Sequence, residues 1–225
     1  MHRSLSICLF NLCFFKKEFA EPAADVPNKG FIVPNVDLPP LCSPSFRPGP
    51  PSEHAQVLST FIDNLITKRS MELLQHAKYL VWVLYIDLMC LDYDGNVADA
   101  AVIAMLAALQ NTRLHTVTIN EETETPEPSE NKDIHLKLKS MPVAVTFGIF
   151  DDDHIYCDPT DEEERLASGK VSVVMTTNNK VVAVHKPGGP PLTQDKLQEC
   201  FDVTTGRVLE VQQLIHTACT NVPDR

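Results

Sequence analysis

The chain has 225 residues, 44% of them hydrophobic, with 19 Lys and Arg against 30 Asp and Glu, a formal net charge of −11. That length and composition suit one domain with a real core, and the charge argues against nonspecific nucleic-acid binding by the isolated chain, because attraction to phosphate needs net or local positive charge. The seven cysteines are odd in number and lack paired short spacing, so they read as reduced thiols rather than a disulfide framework, and no Cys/His cluster has zinc spacing.

Met1-His2-Arg3-Ser4 and the mostly apolar run over residues 5–15 have the layout of a short signal peptide, with Ala20 and Ala23-Ala24 behind it. The run is too short to span a bilayer. Nothing downstream looks secreted, so a strand fragment or an alternative start is the favoured reading. Residues 22–51 are Pro-rich and read as extended backbone and loops. Ser52-Glu53 starts a helix in which Ala55, Leu58, Phe61, Ile62, Leu65 and Ile66 recur at helical spacing. Lys68-Arg69 would complement its C-terminal end, and a short helix is expected over residues 71–76.

Residues 80–91 form an apolar run that reads as a buried strand, with Cys90 inside it. Asp94-Gly95-Asn96-Val97-Ala98-Asp99-Ala100 follows, and then an Ala-rich helix over residues 100–109, with Val97, Ala101, Ala104, Met105 and Ala108 on its packing face. A strand, a tight Gly turn and a helix N-terminus make a ready anion site. This loop, however, offers Asn96, Val97 and Ala98 where hydroxyl or basic donors are wanted, and the Asp99 carboxylate at the helix start suits the helix dipole and repels phosphate.

Residues 114–119 alternate as a strand, and the acidic, Pro-containing residues 121–131 read as a solvated loop. The second half is β-rich. Strands are expected at residues 134–138, 143–150 and 154–157, and residues 170–175 and 181–185 form a hairpin turning at Asn178-Asn179. Thr193 is placed to cap a long helix reaching about residue 218, with Leu197, Phe201, Val208, Val211 and Ile215 along one side and Cys200 on that apolar side. The order of elements predicts an α/β (α+β) fold: mixed β-sheets with packed helices and a long C-terminal helix.

Asn28-Lys29-Gly30-Phe31-Ile32-Val33-Pro34-Asn35-Val36-Asp37-Leu38-Pro39-Pro40-Leu41-Cys42 resembles the non-catalytic ring subunits of the RNA exosome, within the RNase PH superfamily. So do Trp82-Val83-Leu84-Tyr85, Leu91-Asp92-Tyr93-Asp94-Gly95-Asn96, Thr118-Ile119-Asn120-Glu121-Glu122 and His185-Lys186-Pro187-Gly188-Gly189. The resemblance divides the chain into a divergent segment, residues 1–16, and an RNase PH-like domain, residues 17–225. Relatives begin with a further N-terminal stretch carrying Arg-Pro-Asp-Gly-Arg and the first strands, so the resemblance implies a domain that lacks those strands.

The departures bear on activity. Active relatives carry Asp-Gly-Gly-Thr-Arg-Thr-Ala, or a Ser-rich equivalent, where this chain has residues 94–100, and use it to hold the attacking phosphate. They also carry two acids in the segment resembling residues 161–174. Glu164 matches the first approximately, and Lys170 falls on the second, where a Lys cannot coordinate Mg²⁺. A Gly-Arg pair before the first helix becomes Gly49-Pro50. The resemblance therefore implies a catalytically inert pseudo-enzyme without cofactor or metal. It would be a structural subunit of the hexameric ring, supporting 3′-to-5′ RNA processing and decay, including rRNA maturation and mRNA decay, by a separate nuclease. Its implied partners are other RNase PH-like ring subunits, cap subunits and threaded RNA, with no membrane, in nucleus, nucleolus and cytoplasm. Arg47, in Ser45-Phe46-Arg47-Pro48, is the candidate RNA contact. The alternative is a phosphorolytic 3′-to-5′ exoribonuclease whose site a neighbouring subunit completes. An acidic metal site from Asp92, Asp94, Asp99 and residues 151–153 is a weak third reading, because no EF-hand ligand set follows.

Overall fold

The computed structural model describes residues 10–20, 30–69, 81–114, 117–119, 126–128, 134–136, 138, 140–151 and 154–220. The helix expected over residues 71–76 lies outside them.

Two sheets carry the architecture. In the first, β1 (Phe10–Ala20) and β2 (Phe31–Asp37) flank β3 (Val81–Cys90). β1 runs antiparallel to β3 and β2 runs parallel to it, so this sheet is mixed, as the sequence predicts. Ten residues of β1 pair with β3, with a register shift between Phe10 and Leu12, which supports the strand reading of the N-terminal apolar run for the part that is described. One face of β3 is fully buried, with Leu84, Ile86 and Cys90 at 0% exposure; on the other, Val81 and Val83 are buried, Tyr85 and Met89 half-buried and Asp87 exposed, so the apolar run is continuous only over its first part. Helix α1 (Glu53–Arg69) sets Ile62 and Leu65 into the core, and Ser52 Oγ accepts the Ala55 N–H at 3.2 Å at its start.

Helix α2 (Val97–Gln110) begins three residues earlier than the Ala-rich run suggests. Its buried face is Val97, Asp99, Ala101, Val102, Met105, Leu106 and Leu109. Ala104 and Ala108, expected to pack, are only half-buried: the larger Val and Leu side chains bury more area per residue and turn the helix toward themselves. The strand expected over residues 114–119 divides. β4 (Arg113–Leu114) pairs with β7 (Ile134–His135), while β5 (Val117–Ile119) pairs with β6 (Pro126–Pro128), a short strand inside the segment expected to be wholly loop.

The second sheet has the order β11-β10-β8-β9, antiparallel throughout, from β8 (Val143–Phe150), β9 (His154–Cys157), β10 (Gly169–Met175) and β11 (Val181–His185). The β10–β11 turn places Asn179 at φ 54°, the left-handed geometry expected of the Asn pair. Short α3 (Asp161–Leu166) lies between β9 and β10 and opens with a capping box from Thr160 and Glu163. Helix α4 (Gln194–Thr220) packs on β8 and β10. Its buried stripe is Cys200, Thr204, Val208, Val211 and Ile215, which keeps Cys200, Val208, Val211 and Ile215 of the side expected and adds Thr204, while Leu197 and Phe201 stand half-buried at its margin. Thr204 tolerates full burial because its hydroxyl donates to the Cys200 carbonyl at 2.7 Å. No helix among the described residues is long and apolar enough to cross a membrane.

Candidate functional site: the loop before α2

The site forms where β3 ends, α2 begins and the second sheet arrives from the side. Gly95 makes the bend at φ +81°, and a side chain there would stand 2.5–2.7 Å from the backbone of Pro159, Thr160 and Asp161. Only glycine permits both the conformation and that approach. Asn96 follows in the left-handed region at φ 43°, a conformation Asn adopts more readily than most residues. Its side chain therefore does not cap α2 and is free to point elsewhere.

Asn96 bonds three carboxylates from three elements. Its backbone N–H donates to Glu164 Oε1 on α3 at 3.0 Å. Its amide Nδ2 donates to Asp99 Oδ2 at 2.9 Å and to Asp158 Oδ1, in the β9–α3 loop, at 2.7 Å. Asp99, expected to present its charge at the helix start, instead turns inward across the joint to β8. There it accepts the Thr146 N–H on Oδ2 at 2.7 Å and the Thr146 hydroxyl on Oδ1 at 2.8 Å. Thr146 and Ser172 of β10 share a further hydroxyl bond at 2.8 Å. Asn96, Asp99, Thr146, Asp158 and Ser172 are all buried. Burial pushes the Asp99 carboxyl up to about 6, against the hydrogen bonds from Asn96 and Thr146 that favour its charge, with Asp158 adding to the rise.

Beside this network lies a cleft of about 140 Å³ whose lining includes Asn96, Val97, Ala98, Thr146, Ser172, Glu164, Lys170 and His54. The Lys170 ammonium donates to Glu164 Oε2 at 2.8 Å. Glu164 thus spends one oxygen on the Asn96 N–H and the other on Lys170. His54 of α1 faces this pair; partial burial first, and Lys170 next, hold its imidazole below the ordinary value, with Glu164 opposing. Among the described residues no group of three or more His, Cys, Asp or Glu is placed to hold a metal ion.

The structure brings Asn96, Val97, Ala98, Glu164 and Lys170 together in one cleft. It corrects the position of two of them: Val97 and Ala98 are the first turn of α2 rather than loop. Arg47 stands apart, exposed in the loop between β2 and α1, where neighbouring Phe46 packs edge-on against Tyr93 with ring centroids 5.0 Å apart. Sequence reasoning missed Thr146, Asp158 and Ser172. Each is a lone polar residue in or beside an apolar strand, and that interruption was the available signal.

What the arrangement can do chemically follows from its donors. Both protons of the Asn96 amide and its backbone N–H already point at carboxylates, Val97 and Ala98 bring no side-chain donor, and the one lysine is ion-paired. An incoming phosphate would meet the Asp99, Asp158 and Glu164 carboxylates beside a lysine that is already paired.

Sequence profiles of the 3′ exoribonuclease (RNase PH) family match this chain over residues 13–115 for domain 1 and residues 140–207 for domain 2. The chain is 36% identical to "Exosome complex component rrp43" of Schizosaccharomyces pombe over 202 residues, 87% of this chain and 74% of that protein. It is 34% identical to "Exosome complex component Rrp42" of Pyrococcus furiosus over 207 residues, 90% of this chain and 74% of that protein. A solved Archaeoglobus fulgidus exosome with RNA bound to the active site contains a chain similar at TM-score 0.73 and 30% identity, covering 89% of this chain and 77% of that one. A chain of an archaeal exosome core aligns at TM-score 0.69 and 25% identity, over 91% of this chain and 76% of its own length.

Proposed function

We propose, for a chain that belongs to the RNase PH family of 3′ exoribonucleases, the role of a catalytically inert structural subunit in the hexameric ring of an RNA exosome. Its partners are other RNase PH-like ring subunits and cap subunits. RNA threads through the assembled ring toward a separate nuclease for 3′-to-5′ processing and decay, in nucleus, nucleolus and cytoplasm. The similarity to exosome components along most of the chain supports the ring assignment. The observation that carries inertness is the Lys170–Glu164 ion pair, which sets a cation fixed to the chain in the wall of the cleft. The committed donors of Asn96 support it further.

The test is phosphorolysis. Labelled single-stranded RNA, incubated with the purified chain, phosphate and Mg²⁺, is expected to yield no nucleoside diphosphates above background. Loss of positioned contacts worth ~10²–10³-fold each removes several powers of ten in rate. Release that persists after rigorous removal of contaminating nucleases overturns the proposal and favours the phosphorolytic alternative. Arg47 is the proposed RNA contact. In the reconstituted ring, Arg47→Glu is expected to weaken RNA crosslinking to this subunit without changing assembly; unchanged crosslinking removes Arg47 from the site.

A further inference from the structure

The second sheet ends on β9, and no strand lies beyond it among the described residues. The Asp158 N–H donates to the Thr146 carbonyl at 3.0 Å, in step with the β8–β9 register. The alternation of an antiparallel pair then turns the amides and carbonyls of His154 and Tyr156 toward β8 and those of Ile155 and Cys157 outward. Such an outward row is a template for another strand, and the four residues of β9 span about 14 Å of it at ~3.4 Å per residue. The side chains alternate as well. Ile155 and Cys157 pack half-buried against the core, whereas His154 and Tyr156 are exposed, Tyr156 at 53%. Phe150 meets the Tyr156 ring edge-on, with centroids 5.5 Å apart, and so holds an aromatic surface in water.

The flank of β9 is strongly acidic. Residues 151–164 hold eight Asp and Glu and no Lys or Arg. Exposed Asp151 precedes one end of β9, and exposed Glu162 of α3 follows the other. Arg165 meets Asp161 at 2.6 Å and Lys170 meets Glu164 at 2.8 Å. Arg207 of α4, close enough to act on the Cys157 thiol, is held by Glu210 at 3.0 Å. These pairs leave the flank with a large excess of negative charge. A second copy of this chain, at net charge −11, would be repelled from it. We propose that β9 docks an extended basic segment of another polypeptide, which adds to the second sheet as its fifth strand. Alternation sets the pattern of that segment. Arg or Lys falls on the face of Tyr156, where a guanidinium lies over the ring, and apolar residues fall on the face of Ile155 and Cys157. The surface is separate from the Lys170 cleft, whose lining has no residue of β9.

The probe is a labelled seven-residue peptide, acetylated and amidated, alternating Arg and Val, titrated against the full chain by fluorescence anisotropy. It is expected to bind about tenfold or more tightly than a Glu/Val peptide of the same length, and to slow hydrogen exchange at the Ile155 and Cys157 amides. Val residues opposite Ile155 and Cys157 turn their own amides toward β9. N-methylation of the Val residues therefore keeps the charge and should weaken binding about tenfold or more, whereas N-methylation of the inner Arg residues should stay within about threefold. Asp151→Lys with Glu162→Lys should cost about tenfold, and Asp37→Lys with Glu53→Lys, which change the net charge equally from the first sheet and α1, less than about threefold. An unchanged thermal melt for each pair confirms that folding is intact, and the N-methylated peptides decide the matter on the unaltered chain. Absent binding, equal losses from the two N-methylations, equal losses from the two Lys pairs, or unslowed exchange at Ile155 and Cys157 overturns the proposal.

Discussion

The Asp99 carboxyl titrates inside the joint between α2 and β8, and its displacement fixes a direction for stability against pH. It ionises near 3.8 in the unfolded chain and near 6 in the folded one. Above pH 6 both forms are charged, and the fold carries the full cost of burying that charge, on the order of 3 kcal/mol at ~1.4 kcal/mol per pKa unit. As pH falls from 6 toward 4 the folded carboxyl takes up its proton first, and the cost disappears. His54 runs the other way: lowered in the fold, it contributes fully above pH 6.5 and loses that contribution as pH falls below it. Asp99→Asn keeps the shape and offers Oδ1 to the Thr146 N–H and Nδ2 to its hydroxyl. It is expected to raise Tm by several degrees at pH 7.5, with the gain shrinking toward pH 4. Thermal melts of both forms across that range check it, and a gain that stays constant with pH would show that Asp99 is not the group responsible. Nothing in the sequence announces this behaviour: an acid in a first helical turn reads as a dipole partner, and only the Thr146 amide arriving from β8, 47 residues away, shows that it faces inward.

At the scale of elements, the turn into α2 shows what a sequence can and cannot reveal. Gly95 after an apolar run and before an Ala-rich one marked a strand, a turn and a helix, and those three are present. The crowding that fixes Gly95 was not legible, because the backbone it approaches belongs to residues 159–161 of a different element. Gly95→Ala forces positive φ on a residue with a Cβ and drives that Cβ into backbone that has no rotamer to yield. A loss of at least ~2 kcal/mol is expected, read as a lower urea midpoint at unchanged slope. A loss below ~0.5 kcal/mol would mean that the loop relaxes freely. The α4 stripe and the α2 face were legible in period, and in phase for Val208, Val211 and Ile215 and for Val97, Ala101 and Met105, but not in every member. Periodicity fixes which residues share a face, while the neighbour decides which shared face is buried, and here Thr204 and Val102 won places that composition would have given to Phe201 and Ala104.

Over the whole molecule, the Asn96 network ties the half matched by domain 1 to the half matched by domain 2. Asn96 and Asp99 come from the first, and Thr146, Asp158, Glu164, Lys170 and Ser172 from the second. The second sheet, strand β3 and helices α1, α2 and α4 were foreshadowed by local pattern, whereas β2 as a strand and α3 were not, and a joint whose bonds between the halves link residues 47 to 68 positions apart leaves no local pattern to read. Its strength is measurable. Lys170→Met removes the partner of a Glu164 that is only 11% exposed, and is expected to cost about 1–2 kcal/mol, reduced from a fully buried pair because Lys170 itself reaches water. Chemical denaturation checks the value, and hydrogen exchange at the Asn96 and Thr146 amides should quicken together if the two halves open as one joint. Independent responses would show two separate contacts.

The Lys170–Glu164 pair also constrains how this chain can change over generations. Replacing Lys170 with an acid by one substitution would set a second carboxylate against Glu164 with no cation between them, beside Asp99 and Asp158, which already share Asn96. Replacing Asn96 first would release two carboxylates, Asp99 and Asp158, from their common amide donor, the bond to Glu164 coming from the backbone N–H. Each single replacement therefore passes through a less stable intermediate, since residues bonded to one another do not change independently. The cleft thus resists change one residue at a time, because each of its charges is held by a partner that the others share.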